Sequence, residues 1–90
     1  MKRVEIKNEF IVLCMEIFQY SGVDANKIIS VDFINDLAMD SITFITLIVK
    51  IETHFNLTIS DDILLMEHFR NIESIVDVIN NQLHDESGNL

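Results

Sequence analysis

Ninety residues with fifteen acids, six bases and a net charge of −9 make one small acidic domain, in which most apolar positions are needed to build a modest core. That balance disfavours nucleic acid and anionic membrane as partners and favours basic docking surfaces. A lone cysteine, Cys14, leaves no disulfide framework and no multi-cysteine metal site, and no apolar run approaches the roughly 20 residues of a membrane span.

The hydrophobic share of 49% and charged share of 23% are those of a globular chain and argue against disorder. The N-terminus has no signal-peptide layout, so a cytoplasmic monomer without membrane insertion is expected. The acidity is uneven. Lys2, Arg3 and Lys7 face Glu5 and Glu9 near the start, whereas residues 24–67 hold eight acids against Lys27 and Lys50.

Residues 3–20 read as a first helix. Ile6, Phe10, Leu13, Cys14, Ile17 and Phe18 recur at three- and four-residue spacing and form one wide apolar face. Gly22 suits the left-handed residue that closes such a helix. Cys14, on the apolar face, reads as a small core residue and not as a reactive thiol.

Residues 23–40 keep neither a helical nor an alternating period and are punctuated by Asn26, Ser30, Asp32, Asn35 and Asp36. They form a long connection, with one turn of helix near Asn35–Ala38. Val31, Phe33, Ile34 and Leu37 are expected to pin it to the core. Long connections in compact domains are usually functional.

Residues 41–55 form a second helix. Phe44, Ile48, Ile51 and Phe55 are placed on its core face with Ile45 beside them, and Thr43, Thr46, Lys50, Thr53 and His54 make a polar stripe. Ile42 and Val49 fall beyond that stripe, close to Ser41. The many β-branched residues are weak helix formers, so packing must hold this helix. Asn56 is its expected stop. Asp61-Asp62 open a short third helix reaching about Glu67. Asn71 caps a last helix buried through Ile72, Ile75, Val76, Ile79 and Leu83. Residues 1–84 are thus one domain, and 85–90 read as a frayed tail.

The junction before the second helix carries the candidate chemistry. Asp40 and Ser41 stand where a short side-chain oxygen can accept from an unpaired backbone N–H. The same helix start favours a phosphate through its free N–H groups and dipole. A hydroxyl there can be an attachment point for a phosphorylated group. The bland alternative is a capping serine.

Other clusters are less suggestive. His54, His68 and His84 lack metal-ligand spacing, Asp61-Asp62 lacks the ladder of a calcium loop, and no metal site is expected. Leu65 and Met66 read as core residues before they read as the border of a ligand path. No nucleophile elbow, phosphate loop or paired-carboxylate spacing accompanies Ser41, so catalysis is not expected.

Asp36-Leu37-Ala38-Met39-Asp40-Ser41-Ile42 resembles the attachment motif of acyl carrier proteins, which runs roughly Asp-Leu-Gly-x-Asp-Ser-Leu. Glu52, Phe55, Ile59 and Asp61-Asp62 fall where that family has Leu-Glu-x-x-Phe and Ile-Pro-Asp-Glu, and Phe69–Ile72 falls where its last helix begins. The resemblance covers about residues 33–80. It implies an all-α antiparallel four-helix bundle with a long loop between the first two helices and a short third helix. It implies 4′-phosphopantetheine joined to Ser41 by a phosphopantetheinyl transferase that contacts Asp40. The arm would hold acyl or aminoacyl groups as thioesters for fatty-acid, polyketide or nonribosomal-type biosynthesis. Ile42, Thr46, Val49, Met39 and Asp36 become the expected docking residues for loading and synthase enzymes with basic surfaces. The chain would be a carrier and not an enzyme, and the alternative is an unmodified subunit of a larger assembly.

Several departures are visible, among them a longer segment from Ile59 to Ile72 than the simplest bacterial carriers have. Ala38 replaces a usual Gly, costing about 1 kcal/mol if positive φ is required there. Thr46 replaces a common acid, Lys50 adds a positive charge, and Ser60 stands where Pro is usual. The less acidic helix tilts the expectation toward a specialised pathway: polyketide, nonribosomal peptide, or alanylation of a cell-wall polymer.

Overall fold

A computed structural model describes residues 2–18 and 25–88, the side chains of residues 25 and 85–88 excepted. Among the described residues the chain is all-helical: α1 (Arg3–Ile17), a one-turn α2 (Ala25–Ile28), α3 (Ser41–Phe55), 3-10 turns at Asp61–Ile63 and Met66–Phe69, and α4 (Ile72–Gly88). The expected helical bundle with a long first connection is observed. α1 is its hub, packing against α2, α3 and α4.

α1 starts where the Lys2 backbone N–H donates to Glu5 Oε1 at 2.9 Å, which also puts a carboxylate at the positive end of the helix. Ile6, Phe10, Leu13 and Cys14 are buried along it, and burial pushes the Cys14 thiol well above its ordinary range, as fits a core residue. The helix stops at Ile17 with Phe18 as its C-cap, earlier than the sequence suggests. Tyr20 and Gly22 lie outside the described residues.

The long connection is better anchored than its composition indicates. α2 was not expected, yet its Ile28 is fully buried, as is Phe33. The Phe33 ring meets Phe18 at 5.4 Å between centroids. Val31, Ile34 and Leu37 pack partly buried against the core. The helical turn expected near Asn35–Ala38 does not form; the chain makes a non-helical turn at residues 33–36 instead.

α3 spans the expected residues, but its core face is turned toward Leu47. Leu47, Ile48, Ile51 and Phe55 are buried and Phe44 is partly buried, while Ile45, assigned to the core face from its spacing, is 61% exposed. The helix is apolar over so much of its circumference that periodicity alone does not orient it. Its end is as expected. Asn56 adopts the left-handed conformation, φ 53° and ψ 55°, which Asn tolerates better than most residues. Glu52 then ties the next connector in place, its Oε2 accepting the Ile59 N–H at 2.9 Å.

Between α3 and α4 the short third helix takes the form of two 3-10 turns. Asp61 and Asp62 do open the first, but the chain leaves helical geometry at Leu64 and Leu65 before the second begins. Asn71 caps α4 as expected, Oδ1 accepting the Ser74 N–H at 2.9 Å. Ile72, Ile75, Val76 and Ile79 are fully buried. α4 continues to Gly88, past the point where a tail was expected. Arg3 and Lys7 of α1 pair with Glu73 at 2.8 and 2.7 Å, and Arg3 also pairs with Asp77, fastening the two helices along their exposed seam.

No described helix is long and apolar enough to cross a membrane.

Candidate functional site

The site is the junction from Asp32 to the first turn of α3. Asp32 starts it, with Oδ1 accepting the backbone N–H groups of Ile34 and Asn35, both at 2.9 Å. This Asx-type turn is what a short carboxylate side chain does in a loop. The Asn35 N–H, then the Ile34 N–H and the Arg70 charge, hold the Asp32 carboxyl below its ordinary value. Asp36 closes the turn from the other side, its Oδ2 accepting the Asp32 N–H at 2.9 Å.

Beyond the turn the chain reverses at Ala38, whose φ is +50°. This is the left-handed region, where a Cβ is unfavourable and Gly is the usual occupant. The reversal is fixed by the Met39 N–H, which donates to the Phe33 carbonyl at 3.0 Å. Met39, expected on the docking face, is instead 5% exposed and supports the loop from beneath. The correction has a simple cause: an apolar residue immediately before a helix cap is the one available to plug the loop onto the core.

Asp40 is exposed and is the N-cap of α3, with Oδ1 accepting the Thr43 N–H at 2.8 Å. That hydrogen bond is the main reason its carboxyl lies below the ordinary value. Ser41 is the first residue of α3 and is exposed. Capping therefore falls to Asp40. Ser41 is left with a solvent-facing position beside the positive end of a fifteen-residue helix, a favourable setting for a phosphodiester.

The surface that continues from Ser41 along α3 is apolar. Ile42 is 77% exposed, Val49 is 54% exposed, and Ile45 lies with them at spacings that share one helix face. Thr46 sits among them, its hydroxyl donating to the Ile42 carbonyl at 3.0 Å and so turned back onto its own helix. Asp36 is exposed as well. Of the residues expected to dock partners, Ile42, Thr46 and Val49 lie on this exposed stripe and Met39 does not; Ile45, which sequence reasoning placed on the core face, lies there too. The signal for Ile45 was available in Leu47: once Leu47 is taken as core, Ile45 falls on the opposite flank.

A groove of about 330 Å³ lies apart from Ser41 in the seam between α1 and α3, lined by Leu13, Glu16, Val49, Lys50, Thr53 and His54. His54 spans that seam, with Nε2 3.2 Å from Glu9 Oε1 and its ring edge against Phe55. The Glu9 contact ties α1 to α3, the Phe55 contact lies within α3, and neither involves the serine.

Residues 13–79 match the family described as "Phosphopantetheine attachment site". The chain is also 48% identical over 48 residues to a curated protein named "Acyl carrier protein" from Karelsulcia muelleri (strain GWSS), an alignment covering 52% of this chain and 58% of that relative. The match therefore spans somewhat more than half of the relative's length. No solved structure matches the chain.

Proposed function

The chain belongs to the phosphopantetheine attachment family, and on that premise we propose that it is an acyl carrier whose attachment residue is Ser41. The observation that carries this reading is the division of labour at the start of α3. Asp40 takes the capping hydrogen bond and leaves the adjoining hydroxyl exposed at the helix N-terminus. The 48% identical stretch in a protein named acyl carrier protein supports it.

In the modification step the Ser41 oxygen forms a bond to the pantetheine-bearing phosphorus of coenzyme A. The phosphoanhydride bond breaks, adenosine 3′,5′-bisphosphate departs, and the hydroxyl proton passes to a base of the transferase. This chain contributes placement: α3 orients the hydroxyl, the helix dipole favours the phosphodiester formed, and Asp40 is presented beside it for the transferase to read. Once bound, the arm supplies a terminal thiol able to carry acyl groups. The tether then raises their effective concentration at each partner enzyme without a separate binding step.

Partner enzymes dock in this reading on Ile42, Ile45, Thr46 and Val49, while the exposed Asp36 and Asp40 favour basic surfaces around the serine. The only carboxylate in α3 is Glu52, which is partly buried and holds the Ile59 N–H. The exposed face of α3 is therefore not acidic, which supports a specialised pathway (polyketide, nonribosomal peptide or polymer alanylation) over the general fatty-acid one.

The test is intact-mass measurement after incubation with coenzyme A and a broad-specificity phosphopantetheinyl transferase. One phosphopantetheine per chain is expected for the wild type, and none for Ser41→Ala with an unchanged helical circular-dichroism spectrum. No gain in the wild type, or an equal gain in Ser41→Ala, would overturn the assignment; the former would point to an unmodified structural subunit.

A further inference from the structure

We infer that Arg70 is a positioning residue for the modification of Ser41, acting through the loop from Asp32 to Met39; the inference rests on Ser41 being the attachment point. The dipeptide Phe69-Arg70, between the second 3-10 turn and α4, holds the serine junction from two sides. On one side the Phe69 ring is fully buried and meets Phe44, in the first turn of α3, edge-on at 5.3 Å. On the other side the Arg70 carbonyl accepts the Phe33 N–H at 2.6 Å, and its Nε lies 3.0 Å from Asp32 Oδ2.

That Nε is sealed from solvent, and its N–H direction falls short of hydrogen-bond geometry toward any partner. Its contact with Asp32 is therefore an ion pair. The Arg70 side chain is 40% exposed and that of Asp32 28%, so the ion pair by itself counts for little; its effect comes from fixing a carboxylate that already organises the turn. The same Asp32 accepts the Ile34 and Asn35 N–H groups.

From Arg70 the restraint runs to Ser41 in few steps. The Arg70 side chain holds Asp32, which directly precedes Phe33; the Phe33 carbonyl holds the Met39 N–H at 3.0 Å, and Met39 leads directly into the cap and the serine. The link crosses Ala38, which sits at φ +50°. A non-glycine residue stays in that region only while its surroundings impose it. Releasing Asp32 from the Arg70 side chain loosens the loop and lets Ala38 return toward negative φ, and the hydroxyl two residues beyond the buried Met39 shifts with it. A small misplacement of a reacting group lowers turnover more than it lowers encounter with the enzyme.

The experiment uses the full chain, coenzyme A and a broad-specificity phosphopantetheinyl transferase, comparing wild type with Arg70→Ala, Arg70→Lys, Asp32→Asn and Arg3→Ala. For Arg70→Ala, kcat is expected to fall about tenfold while KM for the carrier changes by less than about twofold. Arg70→Lys restores part of the loss, because the charge facing Asp32 returns while the planar fork does not; the backbone carbonyl that holds Phe33 is common to all three chains. Arg3→Ala, which removes pairs to Glu73 and Asp77 and no contact of the loop, keeps wild-type kcat. In parallel, amide hydrogen exchange without transferase is expected to speed up about tenfold at Phe33 and Met39 in Arg70→Ala, and not in Arg3→Ala. Wild-type kcat and exchange in Arg70→Ala overturn the inference, as does an equal kcat loss in Arg3→Ala. If Arg70→Ala fails to fold, Asp32→Asn carries the same comparison with every backbone bond retained. If the wild type takes up no arm, the attachment reading fails, and the exchange data alone decide whether Arg70 anchors the loop.

Discussion

Ala38 is where residue chemistry and loop geometry disagree most openly. Its φ of +50° places a Cβ where left-handed backbone disfavours one by about 1–2 kcal/mol. Replacement by Gly removes that clash at the expense of a more flexible unfolded chain. We expect Ala38→Gly to stabilise the fold by about 1 kcal/mol, read as a higher midpoint of urea unfolding with unchanged slope. A lower midpoint would show that the position is not strained. The caps at this scale were legible in the sequence: Asp40, Asn56 and Asn71 act through hydrogen bonds or backbone preferences local to a few residues, and local chemistry needs no knowledge of the fold. The Arg70–Asp32 pair was not legible, because 38 positions of chain separate partners that only the bundle brings together.

At the scale of the element, α3 shows how length and face are decided by different things. Its two ends were readable from Asp40-Ser41 and Asn56. Its orientation was not, because Ile42, Phe44, Ile45, Leu47, Ile48, Val49 and Ile51 leave hardly any side without an apolar residue. The neighbouring helices choose: they cover Leu47 completely and leave Ile45 outside. Leu47→Ala is accordingly expected to cost about 2–5 kcal/mol, and Ile45→Ala to change stability by less than about 0.5 kcal/mol, both measured by chemical denaturation. Comparable losses at the two positions would contradict this orientation. The third helix illustrates the same limit. Asp61-Asp62 mark a start, but Leu64 and Leu65 break the helical path and the segment settles as two 3-10 turns.

Across the whole molecule, acids hold each of the packed parts in place: Asp32 in the loop, Asp40 at α3, and Glu73 between α1 and α4. Asp32 and Asp40 lie below an ordinary value of 3.8 because of backbone N–H groups, and Glu73 lies below 4.5 because of Lys7 and then Arg3. Carboxyls with depressed native pKa bind fewer protons folded than unfolded, so their contribution is present above the unfolded pKa and fades as pH falls through the folded one. Acidification also relieves the repulsion of a chain with net charge −9, which acts the opposite way. Comparison with Asp40→Asn separates the two. The wild type should have the higher melting temperature at pH 7, and the gap should narrow below about pH 4. A gap independent of pH would mean that the Asp40 carboxylate does not stabilise the start of α3 through its charge.

What the amino-acid order determined by itself was the class of fold, the ends of α3, the cap of α4, and an Asp-Ser pair poised at a helix start. Each follows from periodicity or from hydrogen bonds a few residues long. Tertiary packing alone decided which side of α3 faces water, that Met39 lies beneath the loop and not on the exposed stripe, and that Ala38 is held at positive φ by contacts reaching across to Arg70. Those outcomes depend on which surfaces remain uncovered once the helices meet, and burial is a property of neighbours that a linear pattern does not contain.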